Sequence, residues 1–370
     1  MSASIAHVDL DAIAHNCRVV RATAPDAQLC TVVKANGYGH GSVPVARAAL
    51  DAGATWLGVA QVDEAAVLRA GGIEAPILVL SEPGPHEIDR ALALGLHLTA
   101  YRHETIDRLS SRAVELGVPS VPLHLKIDTG MRRIGCEPHE AASLARAIEA
   151  SAAVTLAGTM THLARADEPD VATTDEQLDA FDQALAALTD AGVDPGIRHA
   201  ANSAAALAHP RAHHDLVRVG IATYGIDPGP ALAGVADLRP ALRWTSTVRH
   251  VKAVPAGAHV SYGHRHRFDR DTIVATVPVG YADGFRRRLG VDGGAVLVGG
   301  RRCPVVGVVT MDQFVVDCGP DSTVAVDDEV VLIGQQGDER ITAEDMATVL
   351  GTIGYEIVCD LSPRVERRYE

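Results

Sequence analysis

From about Leu29 to Gly220, short apolar β-rich runs alternate with segments whose apolar residues recur every three or four positions. The runs Cys30–Lys34, Trp56–Ala60, Ile77–Ser81, Leu96–Ala100, Pro122–Asp128, Val154–Thr161, Ile197–Ala201 and Leu216–Val219 read as strands. Between them, Ser42–Ala52, Glu64–Ala70, Glu104–Leu116, Ala141–Ala150 and Thr174–Ala191 read as helices. In the last of these, Leu178, Phe181, Leu185 and Leu188 fall on one face. Eight such alternations predict a (β/α)8 TIM-type barrel over residues 1–235. A doubly wound open sheet is the rival, and no G-x-G-x-x-G follows the first strand to support it.

After about Ala236 the pattern changes. Trp244–Val254, Thr272–Val279, Ala295–Val298, Cys303–Val309, Phe314–Asp317 and Glu329–Ile333 are closely spaced apolar runs broken by Gly, Pro and Asp. They predict a C-terminal, mostly-β domain over 236–370, joined to the barrel through the breaker-rich stretch Asp227–Pro240. One helix is expected there, around Thr342–Leu350, with Thr342 as N-cap and Asp345 in the first turn.

Composition narrows the class of protein. The 370 residues are 47% hydrophobic and 22% charged, enough apolar material for a sizeable core. A formal net charge of -14 argues against nucleic acid, because a phosphate backbone demands a basic surface. No apolar run approaches the roughly 20 residues of a membrane span, and Ser4, His7 and Asp9 interrupt any leader-like start. Cys17, Cys30, Cys136, Cys303, Cys318 and Cys359 are scattered without a C-x-x-C pair. Buried, reduced thiols in a cytoplasmic protein are expected. No metal site is expected.

The basic residues are unevenly chosen. Of 33, only Lys34, Lys126 and Lys252 are lysine. A lysine amine can lose its proton, form a Schiff base or react with carbon dioxide, none of which a guanidinium does. Lys34 ends a strand and precedes the glycine-rich turn Ala35–Gly41, while Lys126 lies in another strand ahead of Asp128-Thr129-Gly130. Barrel enzymes gather their reactive groups at these strand ends. Lys252, in the β domain, reads as a chance survivor.

A second signal lies at the seventh and eighth strand ends. His199-Ala200-Ala201-Asn202-Ser203 and Arg218-Val219-Gly220-Ile221 occupy the loops where such barrels most often bind phosphate. Ser203 offers a hydroxyl, and Ser203, Gly220 and Ile221 offer amides, although Asn202-Ser203 also suits a plain helix cap. A Schiff-base lysine together with a phosphate site suggests pyridoxal phosphate.

Here a resemblance becomes specific. Val33-Lys34-Ala35-Asn36-Gly37-Tyr38-Gly39-His40-Gly41 resembles the cofactor-lysine signature of the alanine racemases. Lys126–Met131, Thr161-His162, Arg218–Ile221, Ser261-Tyr262-Gly263, Gly280–Gly284, Met311-Asp312-Gln313 and Gly354-Tyr355-Glu356 resemble that family's other blocks, in its order, across nearly the whole chain.

The resemblance implies a two-base, pyridoxal-phosphate-dependent interconversion of L- and D-alanine, supplying D-alanine for the peptidoglycan cell wall. Lys34 would hold the cofactor and serve one face of the substrate, while Tyr262 from the second subunit of a homodimer serves the other. His162 and Arg218 would lie behind Tyr262, with Arg218 donating to the pyridine nitrogen. Arg133 would face the cofactor's phenolic oxygen and the substrate carboxylate, fixed by a carbamylated Lys126. Tyr38 and Tyr355 would bind phosphate. Tyr281 would guard the partner's entrance, and Met311 and Asp312 would contact the substrate carboxylate. Arg132 stands where the family usually has glycine, Thr310 where cysteine is common, and Pro363 and Glu366 alter the usual ending.

Three other readings compete. A racemase for serine or a broader substrate set shares every block. A basic amino-acid decarboxylase uses an acidic partner for the ring nitrogen. A small cofactor-carrying barrel protein lacks the β domain that bears Tyr262.

Overall fold

The computed structural model describes residues 4–169 and 171–370. Eight strands form one parallel sheet: β1 (Gln28–Val32), β2 (Trp56–Val59), β3 (Ile77–Val79), β4 (His97–Ala100), β5 (Val121–Lys126), β6 (Val154–Met160), β7 (Ile197–His199) and β8 (Leu216–Val219). Neighbours pair in sequence order, and β8 returns to pair with β1. The circle closes where Asp215 and Arg218 donate their backbone N–H groups to the carbonyls of Arg198 and Ala201, at 3.0 Å each. The sheet is the expected (β/α)8 barrel. Its strands read as continuous apolar runs because both faces are covered; every residue of β2 and β8 is buried. The helix Thr173–Asp190 buries Leu178, Phe181, Leu185 and Leu188, as its spacing predicts.

Several strands end earlier than the apolar pattern suggests. Lys34, Asp128 and Ala201 lie just past the last ladder bonds of β1, β5 and β7. Apolar content continues where pairing stops, so these residues sit in the loops at the carboxyl ends.

Two compact units emerge: one comprises residues 4–10, Tyr38–Gly41 and Pro240–Glu370, the other Asp11–Gly37 and Ser42–Arg239. The first is built on a ten-stranded sheet. In it, Ser4–Val8 pairs antiparallel with Leu242–Thr247 and parallel with Glu366–Tyr369. The single run expected at Trp244–Val254 divides into Leu242–Thr247 and His250–Val254, because Val248 and Arg249 turn out of the ladder. The helix Ala343–Leu350 carries the expected cap, with the Thr342 hydroxyl accepting from the Asp345 N–H at 3.1 Å. Two further helices, Leu289–Asp292 and Gly354–Cys359, were not anticipated, being too short to display a period.

Five cysteines are buried, and Cys359, at the end of a short helix, is exposed where burial was expected. None of the six forms a disulfide. Among the described residues no helix is long and apolar enough to cross a membrane, and no cluster of potential metal ligands occurs.

Candidate active site

Chain leaving β1 enters an unusual turn. Ala35, Asn36, Gly37 and Tyr38 all take left-handed φ values, 50°, 53°, 61° and 49°. For each non-glycine residue this costs roughly 1–2 kcal/mol, so something must hold the turn. Ala35 donates its N–H to Glu64 Oε1 at 2.6 Å, Gly37 to the Val33 carbonyl at 2.8 Å, and Ser42 to Asn36 Oδ1 at 3.1 Å. Glu64 Oε2 meanwhile accepts from Ala60 and Gln61, capping the helix Val62–Ala70. One carboxylate therefore fixes both the turn after Lys34 and the next helix. Sequence reasoning missed Glu64, whose only signal was its spacing from Gln61 in a capping box.

Lys126 ends β5 and is 7% exposed. Burial, then the nearby Arg218 and Arg133 guanidinium groups, pull its amine down to about 7, against the opposing pull of Asp128. Lys34 adds to the repulsion. Asp128 Oδ1 accepts from the N–H groups of Gly130 and Arg132 at 2.9 and 3.0 Å, closing the following loop. Arg132 there has φ 57°, a conformation that glycine adopts without strain. Its guanidinium turns away to Glu137 at 2.8 Å, while Arg133 is exposed. Gln177, also missed in the sequence, reaches in from its helix: its Nε2 donates to Thr129 Oγ1 and the His162 carbonyl, and its Oε1 accepts from the Ala164 N–H.

Arg218, in β8, is buried and anchored on several sides. Its Nη1 donates to His199 Nδ1 and the His199 carbonyl, both at 2.9 Å. Its Nη2 donates to the carbonyls of Thr161 at 2.7 Å and Ala200 at 3.0 Å, with a longer contact of 3.5 Å to His162 Nδ1. Burial lowers its pKa to about 10, so the group stays charged at neutral pH. Burial and then Arg218 hold His162 neutral, with Lys126, Arg133 and Lys34 adding to the effect. Ser203 Oγ accepts from the N–H groups of Gly220 and Ala222, tying together the two loops that carry Gly220, Ile221 and Asn202. Asn202 caps the helix Ser203–Ala208 by accepting from the Ala205 N–H.

The barrel unit thus brings Lys34, Lys126, Arg133, His162 and Arg218 within electrostatic reach of one another. The β-rich unit holds Tyr38, Tyr262, Tyr281, Met311, Asp312 and Tyr355. Tyr38 and Tyr355 lie 6.2 Å apart, ring to ring. The loops of Tyr281 and Met311 are joined where the N–H groups of Tyr281 and Ala282 meet the carbonyls of Thr310 and Met311, and Asp312 pairs with Arg364 at 2.9 Å. Tyr262 and Thr310 line one surface cavity of about 510 Å³. The Thr310 hydroxyl donates to the Gln313 carbonyl at 2.8 Å, closing the turn that carries Met311 and Asp312.

Comparison with known proteins identifies the family. Residues 8–228 match the family model described as the alanine racemase N-terminal domain, and residues 241–369 match the C-terminal domain. Relatives named alanine racemase include one from Symbiobacterium thermophilum, 50% identical, covering 98% of this chain and 96% of its own length. Another from Thermobifida fusca is 47% identical over 98% of this chain and 97% of its own. Among solved structures, alanine racemase from D-cycloserine-producing Streptomyces lavendulae superposes with TM-score 0.93 at 42% identity, covering 100% of this chain and 97% of that one. The Bacillus anthracis alanine racemase with bound L-Ala-P gives TM-score 0.93 at 41% identity, covering 100% and 95%. With both halves matched, and full-length relatives this similar, the chain belongs to the alanine racemase family.

Proposed function

We propose that this protein interconverts L- and D-alanine with pyridoxal phosphate, supplying D-alanine for cell-wall peptidoglycan from the cytoplasm. The observation that carries the reading is the convergence of Lys34, Lys126, Arg133 and Arg218 at the carboxyl end of the barrel. The guanidinium groups of Arg133 and Arg218, beside the amines of Lys34 and Lys126, suit an anionic cofactor and a carboxylate substrate. The donor set therefore fits pyridoxal phosphate. Lys34 would hold it covalently. Tyr38, Asn202, Ser203, Gly220, Ile221 and Tyr355 would hold its phosphate, and Arg218 its ring nitrogen. When bound, the cofactor withdraws electron density from the substrate α-carbon and so acidifies the α-hydrogen.

This chain's residues then divide the work of moving one proton. Lys34 Nζ takes the α-proton on one face, and Tyr262 Oη of a second copy delivers one on the other. Inversion needs two bases, because a single base tends to return the proton to the face it left. His162, whose Nδ1 lies 3.5 Å from Arg218 Nη2, would link Arg218 to the tyrosine oxygen. Arg218 keeps its own proton at neutral pH, so donating to the ring nitrogen it would leave that nitrogen unprotonated and the cofactor a weaker electron sink. A weaker sink would favour return of the proton to the substrate over side reactions. Arg133 orients the substrate carboxylate. Met311 and Asp312 of the second copy contact it, and Tyr281 guards the entrance.

A homodimer with composite sites follows from this division. Tyr262, Met311 and Tyr281 are 73%, 53% and 44% exposed, so each is available to a second copy. Racemisation of L-alanine and of L-serine by the cofactor-loaded protein tests the reading. Fast interconversion of alanine is expected. A loaded protein with no racemase activity on either amino acid would overturn it.

A further inference from the structure

Three histidines inside the barrel take no part in the steps above. His97 opens β4, His124 lies within β5, and His199 ends β7. They form a continuous chain from Arg218. Arg218 Nη1 lies 2.9 Å from His199 Nδ1, His199 Nε2 lies 2.8 Å from His124 Nδ1, and His124 Nε2 lies 3.1 Å from His97 Nδ1. His124 and His199 are fully buried. His97 is half-buried and packs edge-on against Trp56, with ring centroids 4.4 Å apart. Room for the middle ring comes from Gly158, where a Cβ would come within 2.6 Å of His124 Nδ1.

The direction of this chain is forced. A guanidinium has only hydrogens to give, so His199 Nδ1 must be the acceptor. A neutral His199 then carries its proton on Nε2 and donates it to His124 Nδ1. The same logic puts the next proton on His124 Nε2, donated to His97 Nδ1. Protonating the second nitrogen of any ring would set N–H against N–H. The surrounding charges act in the same sense: Arg69 near His97, Arg218 near His124, and Arg218, His214 and Lys126 near His199. Burial leads in every case, holding His97 at about 4 and His124 at about 3, with His199 well below its ordinary value.

We propose that His199, His124 and His97 are positioning residues for Arg218, forming a neutral, one-way imidazole chain in which each ring is the Nε2–H tautomer. Every link accepts from the Arg218 side and donates away from it. Such a chain cannot feed a proton toward the cofactor unless all three rings reverse, so it orients the guanidinium and does not relay protons. Its consequence for catalysis rests on the role assigned to Arg218 above. The tautomer order does not.

The test uses holoenzyme labelled with 15N-histidine. Nitrogen shifts, assigned through His97→Gln and His124→Gln, should place the three rings in the neutral Nε2–H form between about pH 8 and about pH 5.5, the range where an ordinary imidazole would charge. A proton on Nδ1 of any of the three, or a cationic ring at the lower pH, would overturn the proposal. Kinetics supply the second arm. His124→Leu should lower kcat about tenfold with KM within about twofold, and raise pyruvate formed per alanine racemised, whereas His124→Gln should restore most of both. Should His124→Leu fail to fold, His97→Leu at the rim should move the same ratio in the same direction. An unchanged pyruvate ratio in the folded leucine variant would also overturn the proposal. Since the tautomers are read without alanine, inactivity toward alanine would refute the proposed function and leave the chain standing.

Discussion

The two units treat their functional side chains in opposite ways. In the barrel, Arg218 and Lys126 are 5% and 7% exposed, and Arg218 is held by carbonyls and imidazoles on fixed strand ends. In the β-rich unit, Tyr262 is 73% exposed on a turn that opens at Ser261, whose φ is 62°. Burial gives the barrel groups shifted proton affinities and fixed directions before any ligand arrives. The contrast teaches that the barrel fixes its groups in advance, whereas under the proposed function the β-rich unit would offer residues that acquire their setting only against a second copy.

Removing the barrel's central group should have the largest effect. Lys34→Ala should abolish covalent cofactor attachment and cut turnover by about 10⁴ or more, at the upper end for a positioned acid–base group. Borohydride reduction with peptide mapping checks it. Wild-type labelling of the variant would show that the cofactor is held elsewhere.

Lys126 sharpens the comparison through pH. Its amine is pulled down to about 7, so above that pH it is largely neutral and able to react with carbon dioxide. Below it the ammonium form grows and carbamate should be lost. Labelled bicarbonate should give one carbamate carbon signal per chain near pH 8, fading as pH falls through about 7. Lys126→Ala should raise KM for alanine by roughly tenfold, since Arg133 would lose the anion that fixes it. A signal with the same intensity at both ends of that range would contradict the assignment.

The smallest effect concerns the loop after β5. Arg132 carries φ 57°, a conformation that glycine adopts without strain. Arg132→Gly should raise stability by up to about 1 kcal/mol, offset in part by the greater freedom of unfolded glycine and the exposed ion pair with Glu137. Thermal denaturation measures it. A clear loss of stability would mean that the Glu137 contact outweighs the strain.

How much of this was legible in the sequence depended on how local each signal was. All eight barrel strands showed as apolar runs, because parallel strands buried on both faces leave no polar alternation to confuse them. Lys34 and Lys126 stood out by chemistry, as two of three lysines among 33 basic residues. Ser4–Val8 did not stand out as a strand, since its partners Leu242–Thr247 and Glu366–Tyr369 lie at the other end of the chain. The glycines at 37 and 39 announced a turn, yet nothing local indicated that Ala35, Asn36 and Tyr38 would also be left-handed. Glu64, Gln177 and His124 were invisible for a common reason. Each is one polar residue inside an ordinary helix or strand pattern, and only its tertiary partners reveal what it holds.

The sharpest measurement mixes two inactive proteins. Lys34→Ala lacks the barrel's base, and Tyr262→Phe should lose about 10²–10⁴ in turnover for want of the other. In a composite dimer, unfolding and refolding an equal mixture should produce mixed dimers with one intact site each. Random assortment then gives about a quarter of wild-type activity, because half the dimers are mixed and each carries one of two sites. Recovery to that level is the expected result. A mixture that stays as inactive as its parents, or a monomer with full turnover, would contradict the claim that the barrel half-site is completed by the β-rich unit of a second copy.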